Sequence, residues 1–566
     1  MNTYSKLLLA ALGISSFATA QTTYMPLHKD EYSLMDKVET LSGELTNKFF
    51  TTVKPAPRSG VVQYFYEKRE QARELGLSKI DRYNLDHAIS KSGEWTPNTR
   101  GAINSKKAIF RTFYKKQPDF IYANEPEYNF FLVANPVISA QLIAEKNSAG
   151  NQMDFMSSRG VELRGWIAKR IGFYTFFTDN QEQPVSYIGQ YIENKAYKAV
   201  PGGDFYFRKG TRSYDYMLAQ GYIDFQAIKN YTNVTFGYGK NFYGDGIRST
   251  FLSDFSANYP FLRLNTKVWK LNYQNLYVEL TPQFVKGADA RLPRKYATIH
   301  SLSINATKWL NVGIFESVVF GRRDRYEFGY LNPIIMFRSV ERAFGSPDNV
   351  NLGINFKAIV AKRLQFYGQF MLDEFTSKQF FSRSGYWGNK WGLQLGGKYF
   401  DALGVKNLDL QGELNVVRPF TYTHYDSTAN YTHYNQPLAH PLGAGFVELI
   451  GIARYQPIER LSIQLKGMYY SQGVDTGLSN YGSNIFADYN TRNQSFGIGV
   501  INGIKVNCMM ANLNLTYELR DNFFIDLGFT HRRYASSDVL AVPSYNTTYG
   551  YGGFRLNIAR RDYDFY

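Results

Sequence analysis

The sequence predicts a mainly β protein: a large antiparallel transmembrane β-barrel of about 16 to 18 strands with a small N-terminal α-helical periplasmic subdomain. Three observations predict it. From about Tyr128 onward, short segments alternate apolar and polar side chains. After the first residues no apolar run nears the roughly 18 that a membrane helix needs, although the chain holds 45 Tyr and 43 Phe. The connections alternate between short charged turns and long polar loops, the short-in, long-out asymmetry of bacterial outer-membrane barrels.

The first residues, MNTYSKLLLAALGISSFATA, carry Lys6, an apolar run and a small-x-small site at Ala18-Thr19-Ala20. They read as a secretory signal peptide over residues 1–20, with Gln21 the first mature residue. Cys508 is the single cysteine, so no intramolecular disulfide supports the fold. A signal peptide, no membrane helix and a negative mean hydropathy fit a large secreted β protein or an outer-membrane barrel. Strand periodicity and the C-terminus favour the barrel, which is apolar only on alternate residues. In an exported chain the formal charge of +16 points to acidic polysaccharide or anionic outer-membrane lipid, and no nucleic-acid partner is expected.

Residues 21–115 have a helical texture. Tyr32, Met35, Val38 and Leu41 form one apolar stripe. Pro55 and Pro57 interrupt it, Ser59 is the expected cap of a second helix over 61–75, and Ser78 with Asp81 forms a capping box for a third over 80–90. This unit would lid the barrel or dock a periplasmic partner.

The barrel is expected over residues 116–566. On residues 364–372, Leu364, Phe366, Phe370 and Leu372 oppose Gln365, Tyr367, Gln369 and Met371; on 512–519, Asn514, Thr516 and Glu518 oppose Leu513, Leu515, Tyr517 and Leu519. One face suits lipid and the other a lumen. Charged turns such as Lys169-Arg170, Lys362-Arg363 and Glu459-Arg460 mark the periplasmic rim. The chain ends in Phe565 and Tyr566, which suggests a terminal aromatic strand of the kind the barrel assembly machinery recognises.

The stretch FGYGKNFYGDGIRSTFLSDFSANYPFLRLN at residues 236–265 fits neither a helix nor a plain hairpin. It reads as two strands joined by an infolded plug, with glycines for tight bends and Lys240, Asn241, Asp245, Arg248 and Asp254 as polar groups, the charged ones able to pair with one another. Glu316 shares a strand face with Val312, Ile314, Val318 and Phe320; a carboxylate toward lipid is costly, so that face is expected to point inward onto the plug. Arg338, Glu341 and Arg342 with Asp373, Glu374, Glu413 and Arg418 are expected as opposed lumen charges.

Residues 422–440 form an expected outer loop rich in rings and amides. Tyr422, His424, Tyr425, Tyr431, His433, Tyr434 and His440 are candidates to contact polysaccharide, since sugar faces stack on rings; packing that only seals the barrel is the competing explanation. The histidine spacings match no standard metal pattern, and neither a metal nor another cofactor is expected. No nucleophile elbow, metalloprotease motif or phosphate loop occurs, and the expectation is a non-enzyme.

Five segments in order, GKNFYGDGIRS at 239–249, LSD with YPF at 252–261, GYLNPI with RSVE at 329–341, YGQFMLDEF at 367–375 and YTHYNQPLAHPLG at 431–443, resemble the Wzi-type capsule-assembly family of outer-membrane proteins, in particular RemB-like gliding motility proteins. The resemblance spans most of the mature chain. It implies a large barrel closed by its own loops, beneath a surface that anchors or helps assemble polysaccharide, with cell-surface adhesion in gliding as a branch of the same scaffold. A substrate-selective channel is the alternative.

Overall fold

The computed structural model describes residues 22–96, 101–106, 112–194, 199–282, 292–321, 325–334, 336–345 and 348–565. The expected signal peptide and Tyr566 lie outside the described residues.

Alternation turns into pairing along almost the whole chain, and 18 antiparallel strands close into one barrel. They are β1 Phe130–Asn147, β2 Gly150–Ile167, β3 Ile171–Gln183, β4 Ser213–Ile228, β5 Thr232–Gly239, β6 Tyr259–Val268, β7 Leu271–Leu280, β8 Lys295–Asn305, β9 Leu310–Phe320, β10 Asn349–Val360, β11 Leu364–Glu374, β12 Lys390–Tyr399, β13 Leu408–Val417, β14 Phe446–Ile458, β15 Leu461–Val474, β16 Ile504–Arg520, β17 Phe523–Ser536 and β18 Tyr545–Leu556. β18 closes on β1, from Thr547 opposite Asn147 to Leu556 opposite Ile138, so the wall has no free edge. Short strands at Ile121–Glu125 and Tyr206–Lys209 extend the edges of β1 and β4. The even strand count puts the start of β1 and the end of β18 on the rim of short turns.

The predicted faces hold on β11 and β16. Gln365, Tyr367, Gln369 and Met371 are buried in the lumen while Phe366 and Phe370 face out; Asn514, Thr516 and Glu518 point in while Leu513 and Leu515 point out. Buried amides such as Gln369 are tolerated because plug backbone in the lumen bonds them.

Helices α1 Glu31–Ser42, α2 Arg58–Glu70 and α3 Lys79–Ser90 pack around Met35, Val38, Val61, Phe65 and Leu85. α3 has the expected capping box: Ser78 Oγ accepts from Asp81 N at 2.9 Å and the Asp81 carboxylate accepts from Ser78 N at 2.9 Å. α2 starts earlier than expected, at Arg58 after an extended Pro57, so Ser59 lies in its first turn and is not the cap.

The three helices sit on the short-turn rim. Lys79 pairs with Glu459 at 2.9 Å, Ser78 donates to Asn407, and His87 lies between Glu518 and Asp521 at 2.9 and 3.8 Å. α1 also reaches charges into the lumen. Its Glu39 meets Lys357 of β10 at 2.7 Å, its Asp36 meets Lys398 of β12 at 2.7 Å, and Lys37 meets Asp81, Asp401 and Asp409 at 3.0 to 3.2 Å. Buried pairs of this kind fix the seating of the unit more than they stabilise it.

The C-terminus differs from expectation. β18 ends at Leu556, and residues 557–565 turn back up into the lumen. Lys466 pairs with Asp564, the Tyr563 hydroxyl donates to the Glu182 carboxylate at 2.7 Å, and the Phe565 ring packs on Phe255 and Tyr191 at 4.7 and 5.8 Å. A terminal aromatic strand is therefore not what these residues form; ion pairs and ring contacts inside the barrel hold them instead.

Candidate functional site

Between β5 and β6 the chain leaves the wall and crosses the lumen, as the glycine-rich stretch predicts. Phe242 and Tyr243 pair with Val53 and Lys54 from the helical unit. Glu413 of β13 accepts the backbone N–H groups of Ile247 and Arg248 at 2.6 and 3.0 Å, and Gln369 of β11 donates to Tyr243 O at 2.8 Å and accepts from Thr250 N at 2.9 Å. A Cβ on Gly246 would lie 2.6 Å from the Glu413 carboxylate, so only glycine allows this approach.

The plug charges find partners elsewhere rather than one another. Arg248 donates to Asp564 O at 2.7 Å and lies 3.5 Å from Glu448; Asp245 accepts from Thr51 Oγ1 at 2.6 Å; Asp254 meets His28 at 3.1 Å. Asn241 accepts from Arg263 at 3.0 Å. Lys240 donates to the carbonyls of Gly202 and Asp254, and burial lowers its ammonium to about 8. Charge-to-charge pairing within the plug gives way because Arg248 points to the wall and tail, while Asp245 and Asp254 point to Thr51 and His28 of the N-terminal unit.

The segment 418–445 is not a free outer loop. It folds down as a second layer over the plug, joined to it where Ser253 N donates to Leu438 O and the Tyr422 hydroxyl donates to Thr250 O, both at 2.8 Å. Tyr422, His424, Tyr431, His433, Tyr434 and His440 are all buried. His433 Nδ1 accepts from Thr281 N and Nε2 contacts Asn258 O, each at 3.0 Å, and His440 bonds Glu448 at 2.8 Å. These rings have no open face for a sugar. Tyr425, 41% exposed, is the member of the predicted set that reaches the surface.

The expected lumen-charge set disperses as well. Glu413 stands in the lumen, and Asp373 at its upper end accepts from Tyr422 N at 2.7 Å. Glu374 pairs with Lys390 at 2.9 Å and Arg418 donates to Tyr386 O and Ile498 O, all at the long-loop rim. Glu316 points outward: its strand neighbours Phe315 and Val319 are the ones that pack on the plug, while Ile314 on the Glu316 face is 57% exposed. The carboxylate is tolerated there because a helix, α4 Phe337–Phe344, covers it and donates Phe337 N to it at 2.8 Å. Arg338 and Glu341 pair with each other on that helix, outside the barrel, and Arg342 is exposed on it.

On the long-loop rim, three connections meet around Tyr425. His424 and Tyr425 have ring centroids 4.4 Å apart, and Tyr489 lies 6.2 Å from Tyr425. Trp387 packs on Tyr489 at 4.8 Å and carries the Arg492 guanidinium 4.3 Å above its ring, while Lys390 Nζ sits 4.3 Å from the Tyr489 ring. Tyr386 continues the patch to the exposed Phe496 at 5.4 Å. The connections are hydrogen-bonded together, Trp387 N to Ser495 O and Ile498 N to Gly385 O, at 3.0 Å each. Asp426, Asn490 and Arg492 place polar groups beside the open rings. Stackable faces among amide, carboxylate and guanidinium groups can hold a sugar face and its hydroxyls. Sequence reasoning found Tyr425 and missed Trp387, Tyr489, Arg492 and Phe496. Their ring content was visible within long loops, but not their convergence.

The fold and its interior define a class: a closed barrel of 18 strands, plugged from within, lidded by helices on one rim and bearing an aromatic patch on the other. No protein-family model and no curated protein sequence matches the chain. Among solved structures it is similar to Wzi, described as an outer-membrane protein involved in group 1 capsule assembly in Escherichia coli and a carbohydrate-binding β-barrel, at 11% identity and a TM-score of 0.54, covering 96% of this chain and 100% of that one. It is also similar to OprD of Pseudomonas aeruginosa at 10% identity and a TM-score of 0.40, over 75% of this chain and 95% of that one, and to OccK1 of the same organism at 8% identity and a TM-score of 0.41, over 75% and 98%.

Proposed function

We propose that this protein is an outer-membrane barrel that anchors or helps assemble surface polysaccharide, in the manner of the Wzi-like capsule proteins it resembles, and that it does so without catalysis. The observation that carries the reading is the open aromatic patch of Tyr425, Tyr489 and Phe496 above a plug and a second layer of protein that lie across the lumen. The plug and second layer disfavour the substrate-selective channel, because they lie across the path a solute would take above a lumen cavity of about 820 Å³ bounded by the helical unit, plug and tail. The likeness to a carbohydrate-binding barrel over nearly the whole chain supports the assignment. Gliding adhesion is the version in which the retained polymer serves as a tether.

In this reading a signal peptide exports the chain and barrel assembly machinery inserts it. Short turns and helices then face the periplasm, where the helical unit is available to a partner, and the long loops face outward. Replacing Tyr425, Tyr489 and Phe496 together by alanine should leave the heat-modifiable barrel intact and lower the surface-retained polysaccharide, or adhesion in the gliding version. Wild-type retention and adhesion at normal protein level would refute the assignment.

A further inference from the structure

The outer wall of β7, β8 and β9 is unusual. Register aligns Asn275, His300 and Glu316 in one row across the three strands, all on the outward face. On β14, β15 and β17 the same outward face carries apolar side chains such as Leu449, Leu465 and Phe529. A carboxylate, an imidazole and an amide in line toward lipid would be costly if left bare.

They are covered. From the long-loop end of β9 the chain turns down outside the barrel, and residues 325–334 and 336–345 lie on the wall. Phe337 N, which opens α4, donates to Glu316 at 2.8 Å, and the Phe337 ring sits 4.1 Å from His300. Pro333 O accepts from Asn275 Nδ2 at 2.9 Å and from the Tyr273 hydroxyl, and Leu331 O accepts from the Tyr277 hydroxyl at 3.1 Å. Tyr330, Phe337 and Val340 complete an apolar seam with Tyr296, Val318, Phe320 and Val350 of the wall. Tyr273 lies close to the short-turn end of β7, so the cover descends beside about 24 Å of strand, most of the height of a barrel wall.

Irregular backbone survives at membrane depth only where protein satisfies its polar groups. Here the wall does so. The opposite side of the cover carries a crest of apolar side chains, with Phe328 87% exposed, Ile334 83%, and Met336 and Phe344 exposed beside them, while Arg338 and Arg342 stand exposed on the helix. This crest continues the exposed apolar belt formed by Ile314 and Ile354 of the neighbouring strands.

We propose that residues 325–334 and 336–345 form a flap embedded in the bilayer, docked by the polar row Asn275, His300 and Glu316, whose crest of Phe328, Ile334 and Met336 contacts lipid acyl chains. The proposal rests on the reading of the barrel as membrane-spanning. It adds a lipid-binding surface made by a loop rather than by strands.

The test uses Ile334→Cys carrying an environment-sensitive nitrobenzoxadiazole label in the full-length protein, reconstituted in phosphatidylcholine vesicles with or without acyl-chain nitroxide lipid. Cys508 is buried, and the unsubstituted protein provides the labelling background. Leu465→Cys on the outward face of β15 and Leu540→Cys in the exposed loop 537–544 serve as references. The label at 334 should lose fluorescence to nitroxide lipid as strongly as that at 465 and resist aqueous iodide. A label at 334 that iodide quenches like that at 540, while 465 answers to nitroxide, overturns the flap and spares the barrel. Shielding from both quenchers with cross-linking between copies through position 334 also overturns it, by giving the surface to a second copy. Iodide quenching at 465 itself overturns the membrane-spanning reading and the flap with it.

Discussion

Glu413 holds Arg248 by its backbone: the wall carboxylate accepts the amide of Arg248 at 3.0 Å and that of Ile247 at 2.6 Å, while the Arg248 side chain turns away to Asp564. Plug, wall and C-terminal tail thus meet at one residue. Glu413→Ala would strand two buried N–H groups and the Tyr367 hydroxyl that donates to the same carboxylate at 2.8 Å. With about 1 to 3 kcal/mol for each unsatisfied group, the loss should be about 3 kcal/mol or more. Gly246→Ala should act in the same direction by forcing the carboxylate aside. The temperature at which the folded gel band converts to the unfolded one should fall in both variants, and unchanged conversion in Glu413→Ala would show that the plug is held elsewhere.

His433 makes the second layer sensitive to acid. Burial, with Lys295 and Lys240 adding to it, lowers its imidazole from 6.5 to about 4, and a proton on Nδ1 would face the Thr281 N–H. Above pH 6.5 the imidazole is neutral in the folded and unfolded chain alike, and its seat is fully stable. Between 6.5 and about 4 the unfolded state takes up a proton that the folded site refuses, so stability falls by up to about 3 kcal/mol as pH drops through that window. Protease nicking within residues 418–445 should rise from pH 7 to pH 4 and do so less in His433→Asn. An equally steep rise in that variant would assign the effect to another group.

Truncation after Ala559 should leave all strand pairing in place, because β18 ends at Leu556. It removes the partners of Lys466 and Glu182 and the ring under Phe255. Assembled barrel should form in near-normal amount with a lower conversion temperature. Loss of assembly at export would mean that the terminal residues carry an insertion signal before they fold inward.

Two layers close the lumen, so deletion of either alone should conduct little. Wild-type protein in planar bilayers should give no large steps. Replacing residues 241–254 by a short Gly-Ser linker should keep current low as long as residues 418–445 remain, and shortening both should open it. Heat-modifiable migration checks that each variant is folded. Large ohmic currents from the wild type would contradict a plugged barrel.

The sequence by itself determined the repeating wall. Period-two alternation on β11 and β16, short charged turns and the glycine-rich break after β5 each follow from local geometry, and so does the capping box at Ser78 and Asp81. Only the tertiary structure decided where the exceptions go. Glu316 faces outward because a loop from the rim above descends to cap it, which alternation within its own strand cannot reveal. The rings of 418–445 look like a sugar-binding loop in composition, yet most are buried, since the same rings pack equally well against a plug. Phe565 sits next to the end of the chain, as an aromatic of a terminal strand would, but its partners Phe255 and Tyr191 stand hundreds of positions away. Strand identity rests on neighbours along the chain; lumen, rim and outer wall are assigned by contacts across the barrel, and a closed barrel brings together residues that sequence separation keeps apart.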